Sequence, residues 1–570
     1  MASSPCSRMQ VRVLLPGVFA LDCYLWMHLV LSSGPGGISM NIIVCCDGTW
    51  NTPNDLENGV PSPTNVVKLY NALAPNDAEG APQKSYYHPG VGSEGNWRDR
   101  ILGGSTGKGL NRNIKNAYCW LAGTYQPGDK IWLFGFSRGA YTARSLGGMI
   151  SRCGLLDLST YDDDARRIWD AVDEVFDIYR MKPEQPPVSS DRLYFHNANL
   201  GEPGAKKTPI RFIGVWDTVG SLGIPDDLGI LNLLDFRGRH EFHDAGLSTI
   251  VATACHALAI DEMRQNFIPT LWTLEPGQQA DLKQVWFAGA HGDVGGGYAH
   301  AGLSDIALKW MIDEAREEGL EFRPDLDTQI NPHHHGVLHN SVSGFFRRLK
   351  TRPRSFPLLS ADNKGTLVHE SVLARRDDPP LLQGEYRTLN WDGRAPGSCR
   401  VRVYAKPHWN WTGIYLRAGT TYKLSAEGEW LDKSVRAGPD GVGLGIYPLG
   451  RLAHLLGTLI GLVERGFRAL IGNHRMDAPG SRRHEDLPWF SLVGLVANDQ
   501  KPARHAGSRI PPFPHETFLI GSERHFTPTE DGYLYCFAND AWQCYNNNHG
   551  SVRLTVSAGA PADGASSGTK

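Results

Sequence analysis

Net charge and paired cysteines are both scarce in this sequence. Its 57 basic and 60 acidic residues give a formal charge of −3 over 570 residues. Such a balance lacks the basic surface with which proteins bind nucleic acids, so we expect no nucleic-acid partner. The ten cysteines include no C-x-x-C pair, and we expect buried, reduced thiols made in a reducing cytosol. Cys536 and Cys544 could reach each other if the protein enters an oxidising compartment.

Residues 1–39 lack a clear targeting signal. Two arginines precede an apolar stretch, an order that superficially resembles a signal peptide or a membrane anchor. Asp22 and His28 interrupt the apolar run, and no small-x-small cleavage site follows it. We interpret residues 1–39 as a leader that is disordered or not native, with the natural start at Met40. A membrane anchor is the alternative.

The length predicts two or three domains. From residue 40 to 395, short apolar runs alternate with amphipathic segments, which predicts an α/β domain with a mainly parallel sheet covered by helices on both faces. The predicted strands are Asn41–Cys46, Lys130–Phe136, Ile210–Trp216 and Gln284–Ala290. The predicted helices are Asn111–Thr124, Ala140–Ser151, Asp162–Arg180 and Leu303–Glu318.

The C-terminal part has a different pattern. A basic, proline-containing stretch, Arg347–Pro357, is interpreted as a surface excursion of the first domain. Residues 396–558 contain short strand-like runs separated by Gly, Pro, Asn and Asp, which predicts an antiparallel β-sandwich. An insertion near residues 445–472 repeats apolar residues at helical spacing, and it fits an interfacial membrane helix, a lid or a docked helix. The tail, residues 559–570, is predicted to be disordered.

A candidate nucleophile lies at the end of the second predicted strand. Lys130–Ala140 reads KIWLFGFSRGA, in which an apolar strand is followed by Gly135-x-Ser137-x-Gly139 and a helix start. This is the G-x-S-x-G nucleophile elbow in its required context of strand, sharp turn and helix. Side chains at the two glycine positions would clash in such a turn. The alternative is a glycine-rich turn with an incidental serine.

A serine nucleophile needs a histidine base and an orienting carboxylate. In α/β-hydrolases these residues follow in the order Ser, Asp or Glu, His. Asp217 and His291 come directly after two later predicted strands and are flanked by glycines. Asp293 is an alternative acid, although it could equally brace the glycine turn. The competing histidines are His256, His369 and the cluster His333–His335.

Two turns are candidate sources of oxyanion donors. The backbone N–H of Arg138, at the start of a helix, follows the nucleophile directly. The first predicted strand ends in Asp47-Gly48-Thr49, and an N–H of Gly48 or Thr49 is the second candidate. A simple turn begun by Asp47 is the alternative.

Seven motifs in order resemble a bacterial α/β-hydrolase family that includes antibacterial phospholipase effectors delivered by type VI secretion. They span roughly residues 40–395 and read CDGTWN, TNVVKLYNAL, YHPGVGS, GFSRGAYTAR, GVWDTVGSLG, ALAIDEMRQNF and GAHGDVGGGY. The resemblance implies phospholipase A activity and a triad of Ser137, Asp217 and His291. It also implies a product of the bacterial cytoplasm that reaches the envelope of a target cell without a conventional signal peptide. A secretion spike and an immunity protein are the implied protein partners.

The C-terminal part resembles a calcium-dependent galactose-binding lectin module. The segments that carry this likeness are NDAWQCYNNNHGS at Asn539–Ser551, GEW at Gly428–Trp430 and GPDG at Gly438–Gly441. The resemblance implies Ca²⁺ bound by side chains of Asp540, Asn547 and Asn548 and by backbone carbonyls of Cys544 and a residue near Lys433. An asparagine-rich turn without an ion is the alternative.

These observations predict a serine hydrolase that cleaves carboxylic esters of phospholipids and needs no cofactor for catalysis. The expected partners are a phospholipid membrane and a glycan. The alternatives are a carboxylesterase on a non-lipid ester, targeted by a sugar-binding module, and a carbohydrate-binding protein with an inactive hydrolase scaffold.

Overall fold

The computed structural model describes residues 39–48, 51–90, 107–181, 193–196, 208–219, 246–343, 350–442, 483–498 and 515–559. The predicted leader, the oxyanion candidate Thr49, the apolar insertion near residues 445–472 and all but the first residue of the predicted tail lie outside these ranges. Within them, no helix combines the length and the apolar character needed to cross a bilayer.

A six-stranded sheet forms the centre of the first domain, in the order β4-β1-β5-β6-β7-β8. Every neighbouring pair is parallel, so all six carboxyl ends meet at one edge. A two-residue hairpin, β2 with β3, lies outside this sheet. The strands are β1 (Asn41–Cys46), β2 (Leu56–Glu57), β3 (Val60–Pro61), β4 (Gln83–His88), β5 (Lys130–Phe136), β6 (Ile210–Trp216), β7 (Val251–Ala259) and β8 (Asp281–Phe287).

Helices cover both faces of this sheet. In β1, Ile42 and Val44 face one buried cluster while Ile43 and Cys45 face another, because successive strand residues point to opposite faces. Helices α2, α3 and α4 pack on the first face, and α1 and α6 pack on the second. The helices are α1 (Asn65–Ala72), α2 (Gly107–Thr124), α3 (Arg138–Cys153), α4 (Ala165–Arg180), α5 (His291–Gly295), α6 (Gly302–Glu317), α7 (Leu326–Gln329) and α8 (Glu370–Asp377).

Antiparallel strands follow from Gly397 onward and form two packed sheets. One has the order β10-β17-β14-β15, and the other has the order β13-β12-β18-β11-β16 with β9 paired to β18. Apolar side chains of both sheets share one buried core. The strands are β9 (Gly397–Tyr404), β10 (Asn410–Leu416), β11 (Tyr422–Glu427), β12 (Trp430–Asp432), β13 (Val435–Ala437), β14 (Leu492–Ala497), β15 (Glu516–Leu519), β16 (Glu523–Phe526), β17 (Gly532–Ala538) and β18 (Asn548–Ala558). The predicted fold class, an α/β-hydrolase with an antiparallel β module, is confirmed.

The β module packs closely against the first domain. A shared apolar cluster joins strands β7 and β8 to β14 and β17. Arg387 of the first domain pairs with Asp261 of the same domain at 2.7 Å and donates across the contact to the Tyr535 hydroxyl at 2.8 Å. The contact therefore combines apolar burial with a hydrogen bond from a charged side chain.

Candidate active site

Ser137 occupies a strained turn between β5 and α3. Its φ of 58° and ψ of −120° lie outside the regions that non-glycine residues favour. Its backbone N–H donates to the Trp216 carbonyl at 3.1 Å, which ties the turn to the end of β6. Strain of this kind persists only where the surrounding structure holds it, and it is concentrated at functional sites.

The elbow requires glycine at positions 135 and 139, because other backbone segments pass very close to both residues. A Cβ atom at position 135 would lie 2.5 Å from the Gly139 carbonyl oxygen. A Cβ at position 139 would overlap the Cys46 carbonyl of β1. Neither obstacle is a flexible side chain, so both positions exclude any larger residue.

Asp217 and His291 form a short hydrogen-bonded pair. His291 Nδ1 lies 2.6 Å from Asp217 Oδ2, and Asp217 Oδ1 accepts the Ala259 N–H at 3.0 Å. Asp217 follows β6 at a φ of 39°, and His291 begins helix α5. The imidazole packs on Phe136, the residue before Ser137, with ring centroids 4.6 Å apart. The pair therefore lies at the same sheet edge as the elbow.

Burial and charge set the protonation of this pair. Burial alone would raise the pKa of Asp217, but the nearby Arg354 and His291 hold this pKa well below its usual range. Burial lowers the pKa of His291, and the Asp217 carboxylate opposes only part of that effect. At neutral pH the imidazole is therefore neutral and able to accept a proton, while Asp217 is ionised.

Arg354 is a functional-site residue that the sequence reasoning missed. Its guanidinium binds Asp217 through two contacts of 2.6 and 2.9 Å and also donates to the Ala259 carbonyl at 2.7 Å. The interpretation of Arg347–Pro357 as a surface excursion is wrong at Arg354, which is 6% exposed. A buried carboxylate compensates the guanidinium charge, and no local sequence pattern reveals such a distant partner.

Asp293, the alternative acid, has a different partner. Its Oδ1 lies 2.6 Å from Nδ1 of His339, and its Oδ2 accepts the Ala290 N–H at 2.9 Å. The carboxylate thus braces the turn that leads into helix α5. Of the two candidate acids, Asp217 is the one bonded to the His291 ring.

The competing histidines lie in other settings. His256 is fully buried and its Nε2 accepts the Thr218 N–H at 3.1 Å, while burial lowers its pKa to about 3. His369 caps helix α8. His334 and His335 lie 3.4 and 2.9 Å from the exposed Asp378 carboxylate. None of the three arrangements resembles a hydrogen-bonded acid and base at the sheet edge.

The candidate oxyanion donors differ in whether their N–H groups already have a hydrogen-bond acceptor. The Gly48 N–H donates to Asp47 Oδ1 at 2.6 Å, so this donor is already used by a neighbouring carboxylate. Asp47 Oδ2 accepts from the hydroxyls of Tyr87 at 2.7 Å and Thr64 at 2.8 Å. Burial raises the pKa of Asp47 to about 6. Arg138 is the first residue of α3, where helix N–H groups attract negative charge.

The loop before β18 brings buried oxygens together in the β module. Asp540 Oδ2, Asn547 Oδ1 and Asn548 Oδ1 are buried and have no hydrogen-bond partner among the described residues. Strand β12 places Asp432 opposite Asn548, and the Asp432 carboxylate accepts from Asn547 Nδ2 at 2.9 Å. Burial, followed by the nearby charge of Asp432, raises the pKa of Asp540 to about 6.

This donor set fits a calcium ion. Uncompensated carboxylate and amide oxygens are the ligands that Ca²⁺ prefers, whereas a buried oxygen without a partner is costly in an apolar setting. Asp432 adds a second carboxylate that the sequence reasoning missed, although its position beside Lys433 was a signal. Lys433 donates its N–H to the Asn547 carbonyl at 3.1 Å. The backbone around Cys544 also lies in this loop, where its carbonyl accepts the Asn547 N–H at 3.3 Å.

The thiols of the described residues are not joined in disulfides. Cys536 is a buried free thiol and Cys544 an exposed one. Burial raises the pKa of Cys45 and Cys46, which makes both thiols poor nucleophiles.

Residues 40–314 match the family described as "T6SS, Phospholipase effector Tle1-like, catalytic domain". The predicted resemblance to phospholipase effectors is confirmed over this range. The chain is also 32% identical over 250 residues to the uncharacterized protein YEL023C of Saccharomyces cerevisiae. The match covers 41% of this chain, which spans about a third (33%) of the length of the yeast protein.

The solved structures that resemble parts of this chain include two of low sequence identity. One is an uncharacterized protein from Pseudomonas aeruginosa, with 16% identity and a TM-score of 0.29, covering 56% of this chain and 53% of that chain. The other is described as "EclA N-terminal domain; PllA-like lectin", with 16% identity and a TM-score of 0.16, covering 28% of this chain and 94% of that chain. The lectin resemblance of the β module stays a prediction.

Proposed function

We propose that this protein is a serine phospholipase of the A type, secreted as an antibacterial effector. The observation that carries the proposal is the strained Ser137 elbow beside a buried, hydrogen-bonded Asp217–His291 pair at one sheet edge. The match of residues 40–314 to a phospholipase effector family supports a lipid ester as the substrate. Delivery to the envelope of a target cell, a spike and an immunity protein are proposed on the same likeness.

The chemistry proceeds by acyl transfer. His291 takes the hydroxyl proton of Ser137 as the oxygen attacks the ester carbonyl, and Asp217 stabilises the imidazolium that forms. The N–H groups at the start of α3, Arg138 first, stabilise the oxyanion. The alcohol part of the lipid leaves with the proton from His291, and water then releases the fatty acid from the acyl-enzyme. The Gly48 N–H joins the oxyanion site only when it leaves Asp47.

Ca²⁺ belongs to the β module in this proposal and takes no part in ester cleavage. Asp540, Asn547 and Asn548 would hold it through side chains, with Asp432 as an additional carboxylate and the Cys544 carbonyl nearby. The three unpartnered oxygens support this assignment. Bound there, the ion would neutralise buried charge and order the loop, which would then present a surface for a glycan.

The test is fatty-acid release from vesicles of phosphatidylethanolamine and phosphatidylglycerol. We expect release by the wild-type chain and none above background by Ser137→Ala. Ser145→Ala is a matched control, since Ser145 is a buried serine of helix α3, which begins directly after Ser137, and it should keep activity. Equal release by wild type and Ser137→Ala would refute the serine mechanism. Hydrolysis of short soluble esters without release from vesicles would favour the non-lipid esterase.

A further inference from the structure

A segment between the two parts of the chain contacts both the catalytic acid and the β module. We call residues Lys350–Leu359 the strap. On the catalytic side, the Arg352 N–H donates to the Met263 carbonyl at 2.7 Å. The Arg354 guanidinium reaches Asp217 with both of its terminal nitrogens. The strap therefore delivers a buried positive charge to the carboxylate that orients His291.

The β module holds the other side of the strap. His515 Nε2 lies 2.8 Å from the Pro353 carbonyl, one residue before Arg354. The Tyr533 hydroxyl accepts the Leu359 N–H at 2.7 Å, and the ring of Tyr533 packs on Phe356 with centroids 5.0 Å apart. Trp409 donates to the Thr351 hydroxyl at 3.0 Å. The contacts to the module thus flank Arg354 on both sides.

We propose that Arg354 is a positioning residue for Asp217 and that the β module, by holding the strap, keeps this arginine in place. The inference rests on the proposed function, because it assigns a role to Asp217 as the acid of a serine hydrolase. The two-point contact fixes the rotation of the carboxylate, so that one oxygen faces the His291 ring. The β module then contributes to the active site itself and is more than a targeting element.

The strap also affects the protonation of His291, the proposed general base. A cation beside Asp217 disfavours a second positive charge on His291, so it keeps the imidazole neutral. Among the described residues, the other charged and titratable groups around this pair include Glu262 and Arg264, which are paired with each other at 2.7 Å, and the buried His256 with its neighbour Arg144. The charge of Arg354 lowers the pKa of Glu262 and of His256 as well, so Arg354→Lys, which keeps that charge, is the comparison that separates charge from orientation.

The experiment compares pH profiles of kcat/KM on a soluble ester for wild type, Arg354→Met and Arg354→Lys. We expect Arg354→Met to lower kcat/KM at its best pH about 100-fold through lost orientation. The acid limb of its pH profile should move up by about one pH unit, because the positive charge of the guanidinium is lost. Arg354→Lys keeps the charge without the two-point contact, so its acid limb should stay at the wild-type pH while kcat falls. Arg211→Met is the matched control, because Arg211 pairs with Glu318 on the same strand β6, and its profile should equal that of wild type.

A second pair of variants tests the contribution of the β module. His515→Ala removes the contact to Pro353, and it should move the acid limb in the same direction as Arg354→Met by a smaller amount. His525→Ala, an exposed histidine of β16 in the same module, should leave the profile unchanged.

The outcomes separate the inference from the proposed function. An unshifted acid limb in a folded Arg354→Met enzyme would overturn the role of Arg354, and an unshifted limb in His515→Ala would overturn that of the module. If Arg354→Met does not fold, a wild-type kcat for Arg354→Lys would overturn the positioning role. Activity that survives in Ser137→Ala would instead refute the proposed function.

Discussion

The sheet edge and the β-module loop each contain a buried carboxylate, but the two carboxylates differ in how far protein groups compensate their charge. Both bury a carboxylate, Asp217 in one and Asp540 in the other. Asp217 has three partners from the protein, namely His291, Arg354 and the Ala259 N–H, and its pKa is held well below the usual range. Asp540 keeps one oxygen without a partner among the described residues, and its pKa is raised to about 6.

The two regions therefore differ in how far protein donors satisfy their buried oxygens. A network with every member satisfied is rigid and preorganised, as acyl transfer requires. A cluster of buried oxygens without donors is unfavourable until a cation arrives. We therefore expect the sheet edge to act without an added ion and the loop to respond strongly to one.

The largest expected effect is a loss of catalytic rate when the acid at the sheet edge is changed. Asp217→Asn should lower kcat about ten-thousand-fold, since the amide no longer selects the tautomer of His291 in which Nε2 faces the nucleophile. Steady-state hydrolysis of a soluble ester measures this effect. Asp293→Asn changes a buried carboxylate within helix α5 and should cost far less. Similar losses in both variants would remove the distinction between the two acids.

A smaller effect is expected at the loop. Free Ca²⁺ at 100 times its dissociation constant should stabilise the wild-type chain by about 2.7 kcal/mol. Thermal unfolding with calcium and with a chelator measures this shift, and Asp540→Asn should abolish most of it. Asp531→Asn is a control in the same module, because Asp531 pairs with Arg417 away from the loop. Equal calcium shifts in the wild type and Asp540→Asn would contradict the site.

The smallest expected effect is the pH dependence of the calcium-free loop. The folded pKa of Asp540 is raised from 3.8 to about 6, so the folded chain binds more protons than the unfolded chain in this window. Its stabilising contribution is present below pH 4 and is lost as the pH rises through about 6. Urea unfolding at several pH values should show this slope in wild type. Calcium, or the change Asp540→Asn, should flatten it, and a slope that survives both would contradict the assignment.

Strong local patterns made much of the fold predictable. Strands β1, β5 and β6 have their predicted bounds because they are continuous apolar runs between turn residues. The last sheet strand begins three residues before the predicted Gln284, since Asp281 and Lys283 pair in the ladder despite their charge. Strand β4 was missed because QKSYYH is a polar, half-buried edge strand. Strand β7 was missed because its small residues carry a weak strand signal.

The candidate site was predictable wherever a residue follows a strand. Ser137, Asp217 and His291 could be proposed from strand ends alone. Arg354 and Asp432 could not be proposed as site residues from the sequence, because their partners are 137 and 115 residues away in the chain. The engagement of the Gly48 N–H by Asp47 likewise depends on side-chain geometry that sequence spacing does not determine. Tertiary contacts between distant segments supplied what the local patterns lacked.

Covalent labelling of the native chain with a fluorophosphonate, followed by mass spectrometry, tests the central claim most directly. A serine activated by a neutral histidine attacks phosphorus, while ordinary serines do not. We expect one adduct per chain on Ser137, lost in His291→Ala and retained after treatment with a chelator. Labelling at another serine, or none on a folded chain that hydrolyses esters, would contradict it.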